Sequence, residues 1–561
     1  MAPELNQDNR ELLEKIFLAI FFCMVLYVRL VQPFDGRISH TYPQFYVAND
    51  AFQSIILTDE TKASGTPVFS PTYISDGFEK SINIGPPLLP IYAAMFSSIT
   101  GIAVYDSIYF ITAIFSVLAM LAMYLIIRRQ SQNLALLSLP FMLGVFNYSF
   151  DLIYPFGIWW FVSGTFFALG ALFVLGNINT IKHPTILLGL LLAGSALAHT
   201  VQMFFVTGFI AVYLILKFFQ DKKVEKVLLS KIAGAYAIMF VLSAYYLNIM
   251  RLYFRYKNMQ AFTVSTDFSM APGKGVSIWY FDYTIAFLVL GMALFAISIL
   301  SRNKSDSSLS DFLELKGKSM FPMLVAIFFL FVGYTNYIGF AERAWQLRAM
   351  WPLYLSPLFA LGAFFLVKKA KRNISTTHIF LISALLVAFF FSMHIGKLSP
   401  QGVMDKGTWG GIEWIRNNTM QNDKVFYFYT PLLFTKQSLY HTERMSYAVN
   451  FDDLVDGIKN QKLKQEYKYE LASEYNGGLH RTGWFGFETY PTEVLQPIEQ
   501  PGYFNMSYYI FTVSALGDHP ALIQYNLAIR EDFLSKNMTE VYNNGRISIL
   551  KNHETRLQNM S

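Results

Sequence analysis

The sequence predicts a membrane all-α polytopic bundle of about eleven transmembrane helices, followed by a carboxyl-terminal extracytoplasmic α/β domain. Three observations point there. The 561-residue chain is 54% hydrophobic and 17% aromatic against 15% charged, with a mean hydropathy of +0.35, which is too apolar for a soluble globule. Apolar stretches of spanning length recur along its first two thirds, and the basic residues gather after every second one. From Gly396 onward the composition turns polar and short strand patterns replace the long apolar runs.

The first span centres near Ile16 to Val31. Acidic residues precede it and no small-residue cleavage pattern follows, so it is expected to remain as a signal anchor. It holds the only cysteine, Cys23, which leaves neither a disulfide framework nor a cysteine metal site. Further spans are expected near Ile108, Leu134, Trp159, Ile186, Met203, Ile232, Ile285, Phe321, Pro352 and Ile379. The basic groups are Arg128 with Arg129, Lys182, Lys222 with Lys223 and Lys226, Arg302 with Lys304, and Lys368 with Lys369, Lys371 and Arg372. By the positive-inside rule these are cytoplasmic, which predicts a multi-pass plasma-membrane protein with its amino terminus inside and its carboxyl-terminal part outside. The net charge of +6 is explained by this topology, and no nucleic-acid partner is expected.

Between Pro184 and Phe219 the chain is almost continuously apolar and would be about 54 Å long as one helix. Two short antiparallel spans turning near "AHTVQ" fit better, and a re-entrant pair leaving His199 toward an internal cavity fits equally. The stretch "INIGPPLLPIYAAMFSSITGI", Ile82 to Ile102, is opened by two prolines and amphipathic, as expected of a helix lying along the membrane surface. These parts divide the chain into a transmembrane module, 1–395, whose first outer loop is 34–105, and an exterior domain, 396–561. In the latter, "GTWGGIEWIRNNT" reads as a helix start, "DKVFYFYT" and "YYIFTVSA" as strands, and "VYNNGRISILK" as a hairpin with an Asn-Asn-Gly turn. Three sequons, at Asn417, Asn505 and Asn537, are compatible with an exterior location.

The first outer loop, "FDGRISHTYPQFYVANDAF", concentrates polar residues where the chain first leaves the bilayer. Asp35 is followed by Arg37, His40 and Asp50, and a carboxylate among aromatics at a membrane surface is partly desolvated, which makes it a better base. The alternative is that Asp35 caps a helix starting around His40 or faces water. In "GFAERAWQLRAMWPL", Glu342, Arg343 and Arg348 flank the outer junction of a late pair of spans, where guanidinium groups suit an anionic headgroup or phosphate. Interfacial snorkelling needs no ligand and explains them equally. Arg251, Arg255 and Lys257 form a second outward basic group, against the positive-inside trend. His199 stands alone in the apolar "LLLAGSALAHTVQMFF", where a neutral imidazole can be structural or functional. Histidine pairs at metal spacing, a nucleophile elbow, a Walker loop and a dinucleotide fingerprint are all missing from the sequence.

The order of these parts resembles the type C (GT-C) membrane glycosyltransferases, most of all prokaryotic members. The likeness rests on the acidic loop after span one, "PPLLPIYAAMFSSITG" before span two, "ALAH" in a mid-chain span, "ERAWQLR" before a late one and "GTWGGIEWIRNNTMQNDKVFYF" opening the tail. The resemblance implies an inverting hexosyl- or pentosyltransferase with a polyprenyl-phosphate- or dolichyl-phosphate-linked sugar as donor and a lipid, glycan or protein as acceptor, acting on the extracytoplasmic face. It implies that Asp35, or else Asp50, is the catalytic base. Arg343, Arg348, His199, Arg251 and Arg255 would bind the donor phosphate, and Arg37 and His40 would contact substrate from the first loop. Two departures stand out. Many members carry Asp-Glu or Asp-x-Asp where this chain has Asp35-Gly36-Arg37, so no motif supports a divalent metal cofactor. The oligosaccharyltransferase motif Trp-Trp-Asp-Tyr-Gly is reproduced by neither "GTWGGIEW" nor "GWFGFETYP", which speaks against en bloc transfer to asparagine. The rival classes are a lipid-linked saccharide transporter or flippase, opposed by the lack of an inverted repeat, and a non-catalytic membrane scaffold. The expected partners are the lipid-linked donor and membrane lipid. Nothing in the sequence indicates an oligomeric state.

Overall fold

The structure is a computed structural model and describes residues 7–30, 39–44, 46, 49–69, 85–146, 157–223, 225–257, 282–300, 320–335, 344–370, 374–394, 404–428, 441–448, 480–483, 486–489, 506–514, 520–536 and 538–553. Helix α1, Gln7–Leu30, is followed by α2, Asn49–Ser64, α3, Leu88–Thr100, and α4, Val104–Arg128. Near its start α1 carries Glu14, which meets Arg128 at the end of α4, so the two helices run antiparallel. Residues 39–44 are not helical, and the helix expected around His40 begins instead at Asn49. Pro43 within that stretch disfavours a helical conformation for the residue before it.

Helix α3 has the two faces expected of an interfacial helix. Leu89, Ala93, Ala94 and Ser97 are buried while Tyr92, Met95 and Ile99 are exposed. It ends at Gly101, whose backbone N–H donates to the Ser97 carbonyl at 2.9 Å.

Helix α5, Gln132–Met142, is capped by Ser131 and runs on as a 3-10 turn, Leu143–Phe146. Then come α6, Trp159–Gly176, α7, Pro184–Ala198, α8, Thr200–Asp221, and α9, Lys226–Lys257. The chain reverses at His199, whose backbone is extended (φ −164°, ψ 98°) between α7 and α8. Along α7, Thr185 lies at Gly234 and Gly189 at Ile238 of α9, so α7 and α9 run parallel. Along α8, Thr200 bonds Met250 and Thr207 bonds Tyr236 of α9, so α8 runs the other way. The chain thus forms two antiparallel helices that reverse at His199, a geometry common to both readings of this stretch.

The bundle continues with α10, Asp282–Leu300, and α11, Phe321–Val332. Two single-turn helices, α12, Trp345–Arg348, and α13, Trp351–Tyr354, precede α14, Ser356–Ala370, and α15, Thr376–His394. Among the described residues four helices are long and apolar enough to cross a membrane: α4, α6, α8 and residues Lys226–Leu252 of α9. Beside these stand α1, of 24 residues, and shorter apolar helices, some cut by breaks such as His199 and the turns around Met350. They pack with the four into one apolar core that also takes in Phe21, Phe52 and Trp409.

Beyond α16, Lys406–Asn418, lies a mixed sheet. Its strands are β1, Lys424–Phe428, β2, Met445–Ala448, β3, His480–Gly483, β4, Gly486–Thr489, β5, Tyr508–Thr512, β6, Thr539–Asn543, and β7, Ile547–Lys551, with α17, Pro520–Ser535, between β5 and β6. The order is β4-β3-β2-β1-β5-β7-β6, with β1 parallel to β2 and β5 and every other pair antiparallel. Asp405 caps α16 by accepting from the Thr408 N–H and hydroxyl, both at 2.8 Å. It also accepts from Arg546 Nε at 3.1 Å, tying the helix start to the β6–β7 hairpin. Ile415, Val425, Ile510 and Ile549 form the core between α16 and the sheet.

Candidate functional site

The loop between α1 and α2 is fastened to the start of α4 by a set of interlocking bonds. His40 donates its backbone N–H and its Nδ1–H to the two carboxylate oxygens of Asp106, each at 2.7 Å. Tyr105 donates its hydroxyl to the His40 carbonyl at 2.7 Å, and Tyr46 donates to the Tyr105 carbonyl at 2.6 Å. Burial, reinforced by the charge of Asp106, pushes the Tyr46 phenol well above its ordinary range, so it stays protonated and keeps donating. The Tyr46 ring meets Trp159 at 5.1 Å and Phe52 at 6.2 Å, both edge-on, which joins loop, α2 and α6.

Asp50 sits in the first turn of α2, exposed, where the helix dipole favours negative charge. This helix start presses on Gly157, just ahead of α6, so closely that a Cβ there would run into the backbone of Asp50 and Ala51. Gly157 also has φ +82°, a conformation in which glycine alone is unstrained. About 10 Å further along α6 lies Gly164, where a Cβ would stand 2.6 Å from the His199 Cβ. Gly157, just ahead of α6, and Gly164, within it, thus seat the Asp50 end of α2 and the His199 turn on one short segment of chain.

Below Asp50 a buried polar layer crosses the bundle. His199 is buried and edge-on to Phe161 at 5.2 Å. Gln202, one turn on, donates to the Thr165 hydroxyl at 3.0 Å and accepts from the Tyr354 hydroxyl at 3.4 Å. Tyr354 stacks on Phe329 at 3.9 Å, Trp351 donates to the Phe329 carbonyl at 3.1 Å, and Tyr334 lies 5.0 Å from Trp351. Arg348 closes the series, fully buried, with its guanidinium 5.9 Å from the Tyr334 ring centre. The series holds a fully buried guanidinium and a buried imidazole, while the Gln202 amide and the Tyr354 phenol are engaged with Thr165 and with each other.

Arg251 of α9 is exposed and follows Met250, whose sulfur accepts from the Thr200 hydroxyl at 3.7 Å, so its backbone lies at the level of the His199 turn. Asp35, Arg37 and Arg343 lie outside the described residues, as does the side chain of Arg255. Among the described residues Asp50 and His199 stand at Gly157 and Gly164, Arg348 is linked to Gln202 only through Tyr334, Trp351, Phe329 and Tyr354, and His40 turns inward onto Asp106. Among the described residues no three His, Cys, Asp or Glu side chains gather as metal ligands.

Helix α16 and the stretch just before β2 dock on α2 and the start of α4. Trp409 of α16 packs edge-on against Tyr105 at 5.8 Å and against His441 at 5.2 Å, and His441 meets Phe52 at 6.2 Å. Arg416 pairs with Glu443 at 2.5 Å and reaches Asp59 of α2 at 3.9 Å. This lid-like contact, the Gln202–Tyr354 bond and Asp106 were missed in the sequence. A signal existed for Asp106, since an acid at the start of an apolar span is costly and needs a named partner.

No family model matches the sequence, and none of the curated proteins compared is similar to it. Solved structures do share its fold. The oligosaccharyltransferase of Archaeoglobus fulgidus in complex with Zn and sulfate has a TM-score of 0.53 at 12% identity, over 96% of this chain and 88% of that one. ArnT from Cupriavidus metallidurans in the apo state has a TM-score of 0.50 at 11% identity, over 97% and 98%. The arabinofuranosyltransferase AftD from Mycobacteria has a TM-score of 0.54 at 10% identity, over 98% of this chain but only 40% of that one. The chain likewise spans 63% of the archaeal oligosaccharyltransferase AglB solved with an inhibitory peptide and a dolichol-phosphate. These are GT-C glycosyltransferases, and this chain has a GT-C-like fold.

Proposed function

We propose that the chain is a membrane glycosyltransferase that moves one sugar from a polyprenyl-phosphate carrier to a hydroxyl on a lipid, glycan or protein acceptor, on the extracytoplasmic face. The observation that carries this reading is the buried layer of Arg348, His199, Gln202 and Tyr354 beneath the acidic first loop, in a GT-C-like fold matched over nearly the whole chain.

In the proposed reaction a first-loop carboxylate, Asp35 or else Asp50, takes the acceptor hydroxyl proton as the oxygen attacks the anomeric carbon. The bond from that carbon to the phosphate oxygen breaks with inversion, and polyprenyl phosphate leaves as an anion. Its charge falls to Arg348 and His199, with Arg343, Arg251 and Arg255 as further cations on that side. A phosphate leaving group needs this help more than a proton, so one base suffices where glycosidases use two carboxyl groups. Arg37 would contact the sugar from the loop. His40 acts through Asp106, holding the loop over the layer.

The test is mass spectrometry of surface glycans and lipid-linked saccharides from a source strain lacking the gene, complemented with the wild type, Asp35→Asn, Asp50→Asn or Arg348→Gln. Loss of a single sugar, restored by wild type and not by one aspartate variant or by Arg348→Gln, is expected. Restoration by all three variants would overturn the assignment of the site, and an unchanged glycan profile in the deletion strain would overturn transfer itself.

A further inference from the structure

Where α16 and residues 441–444 meet α2, one buried side chain is left without a hydrogen-bonding role. His441 is 1% exposed, and among the described residues neither of its ring nitrogens has a hydrogen-bond partner. Its Nδ1 lies 3.6 Å from Oδ2 of Asp59 on α2, beyond hydrogen-bond length but within reach of an ion pair. The ring is edge-on to Phe52 at 6.2 Å and tilted against Trp409 at 5.2 Å. A buried imidazole that uses neither nitrogen is unfavourable, because both lose water and nothing replaces it.

The backbone beside it is strained as well. Glu443 takes φ +52°, a left-handed conformation uncommon for a residue with a Cβ. Arg416 holds it there by pairing with its carboxylate at 2.5 Å. Arg444 donates to the Glu443 carbonyl at 3.0 Å and to the Arg416 and Thr419 carbonyls at 3.0 and 2.7 Å, so residues 441–444 are fixed to the end of α16 and move with it. A strained segment carrying an unpartnered imidazole against another helix is the arrangement of a contact with two states.

The charges that face this seam among the described residues are Asp59 from α2, Glu413 and Arg416 from α16, and Glu443 and Arg444 from the segment itself, with the Tyr105 phenol of α4 across Trp409. Glu413 accepts from Trp409 Nε1, and Glu443 is taken by Arg416. Asp59 accepts no hydrogen bond among the described residues and has Arg416 only at 3.9 Å. It is therefore the carboxylate with room for another donor.

We propose that His441 is a proton-operated latch: on taking up a proton its imidazole closes on Asp59 and tightens the seat of α16 and residues 441–444 on α2. As it stands, the ring is held off the carboxylate. Protonation makes both nitrogens donors, and Nδ1–H then closes on Asp59 to a charge-assisted length of about 2.8 Å. The positive ring also gains the π face of Trp409. The proton comes from solvent, which reaches the seam at the partly exposed Asp59. The closed state holds a proton that the open state releases, so the added stability is present in acid and is lost as pH rises through the range in which an imidazole titrates. Above that range the packing of Trp409 alone seats α16. The latch stands on the geometry of the seam and does not rest on the transferase reading.

The test is hydrogen exchange of the full-length protein in nanodiscs, read at the amides of α16 and residues 441–444 and corrected for the intrinsic pH dependence of exchange. Between about pH 8 and about pH 5.5 the wild type is expected to gain about fivefold in protection at these amides, with α6 unchanged. Asp59→Asn, which keeps the shape of the side chain and removes its charge, should abolish that gain, and so should His441→Phe, which keeps a ring on Trp409 and Phe52. If His441→Phe does not fold, the partly exposed Asp59→Asn carries the test. Equal protection at the two pH values in the wild type overturns the latch, as does lower protection in acid, which would mean that the imidazolium is expelled from the seam. A gain that survives in Asp59→Asn also overturns it, since the proton then acts elsewhere.

Discussion

His40 and Asp106 are joined twice, through the His40 backbone N–H and ring Nδ1, each 2.7 Å from a different carboxylate oxygen. One acid at the head of α4 therefore fixes both the chain path and the ring orientation of the loop that carries Asp50 at its far end. Asp106→Ala should cost about 2–4 kcal/mol, because it leaves two buried donors without an acceptor. Asp106→Asn keeps one acceptor and should cost about half as much. Thermal unfolding of the detergent-solubilised protein ranks the two, and transfer activity should fall in the same order if the loop is being positioned.

At the other end of the bundle, Glu14 accepts from Tyr124 Oη at 2.5 Å, Arg128 Nε at 2.5 Å and Nη2 at 3.0 Å, and Gln132 Nε2 at 2.7 Å. The carboxylate is buried while Arg128 is partly exposed. Glu14→Ala would strand three donors, of which Arg128 can still reach solvent, so the expected loss is about 2–3 kcal/mol, below that of a fully buried pair. Glu14→Gln, which keeps one acceptor oxygen, should recover part of it in the same unfolding assay. Neither substitution should alter the substrate KM, since the cluster lies far from the first loop.

Gly157 joins two constraints at one position, a positive φ and contact with the backbone of Asp50 and Ala51. Gly157→Ala therefore pays about 1 kcal/mol in backbone strain and must also push the start of α2 away from α6. The displacement is the part that matters for transfer. A fall in kcat well beyond the loss in melting temperature is the expected result, while a parallel loss in both would make Gly157 purely structural.

How much of this was legible beforehand depends on whether the signal is local. Apolar length, the amphipathic face of α3, the helix start at "GTWGGIEW" and the β6–β7 hairpin all follow from neighbours in sequence, and helices or strands stand where those patterns are. The reversal near His199 was legible in both readings of that stretch, but not the single extended residue that makes it, because one residue leaves the apolar pattern unbroken. The single-turn helices α12 and α13 were invisible for the same reason. Of the candidate site, His199 was singled out as a lone polar residue in an apolar run, whereas Arg348 was read as an interfacial residue and is in fact fully buried. Gln202, Thr165 and Tyr354 were not, because their partners lie 37 and 152 residues apart and nothing local distinguishes a buried glutamine from an exposed one.

The contact between α16 and α2 separates packing from charge as the source of docking. Trp409 is almost fully buried between Tyr105 and His441, with its Nε1 donating to Glu413 at 2.9 Å. Asp59, partly exposed, lies 3.6 Å from Nδ1 of the buried His441 and reaches Arg416 only at 3.9 Å, and Arg416 has Glu443 at 2.5 Å as its nearer partner. Removing the aromatic side chain should cost about 3–5 kcal/mol, whereas losing the long ion pair should cost about 0.5 kcal/mol or less. Limited proteolysis should therefore cut between the bundle and residues 404–553 far faster in Trp409→Ala than in wild type, with Asp59→Ala close to wild type. Salt discriminates further: if charge held the sheet down, raised ionic strength would mimic Trp409→Ala, but packing predicts that it leaves the cleavage rate nearly unchanged. The reverse ranking would mean that the Asp59, Arg416 and Glu443 network, and not the aromatic cluster, seats the sheet over the first loop.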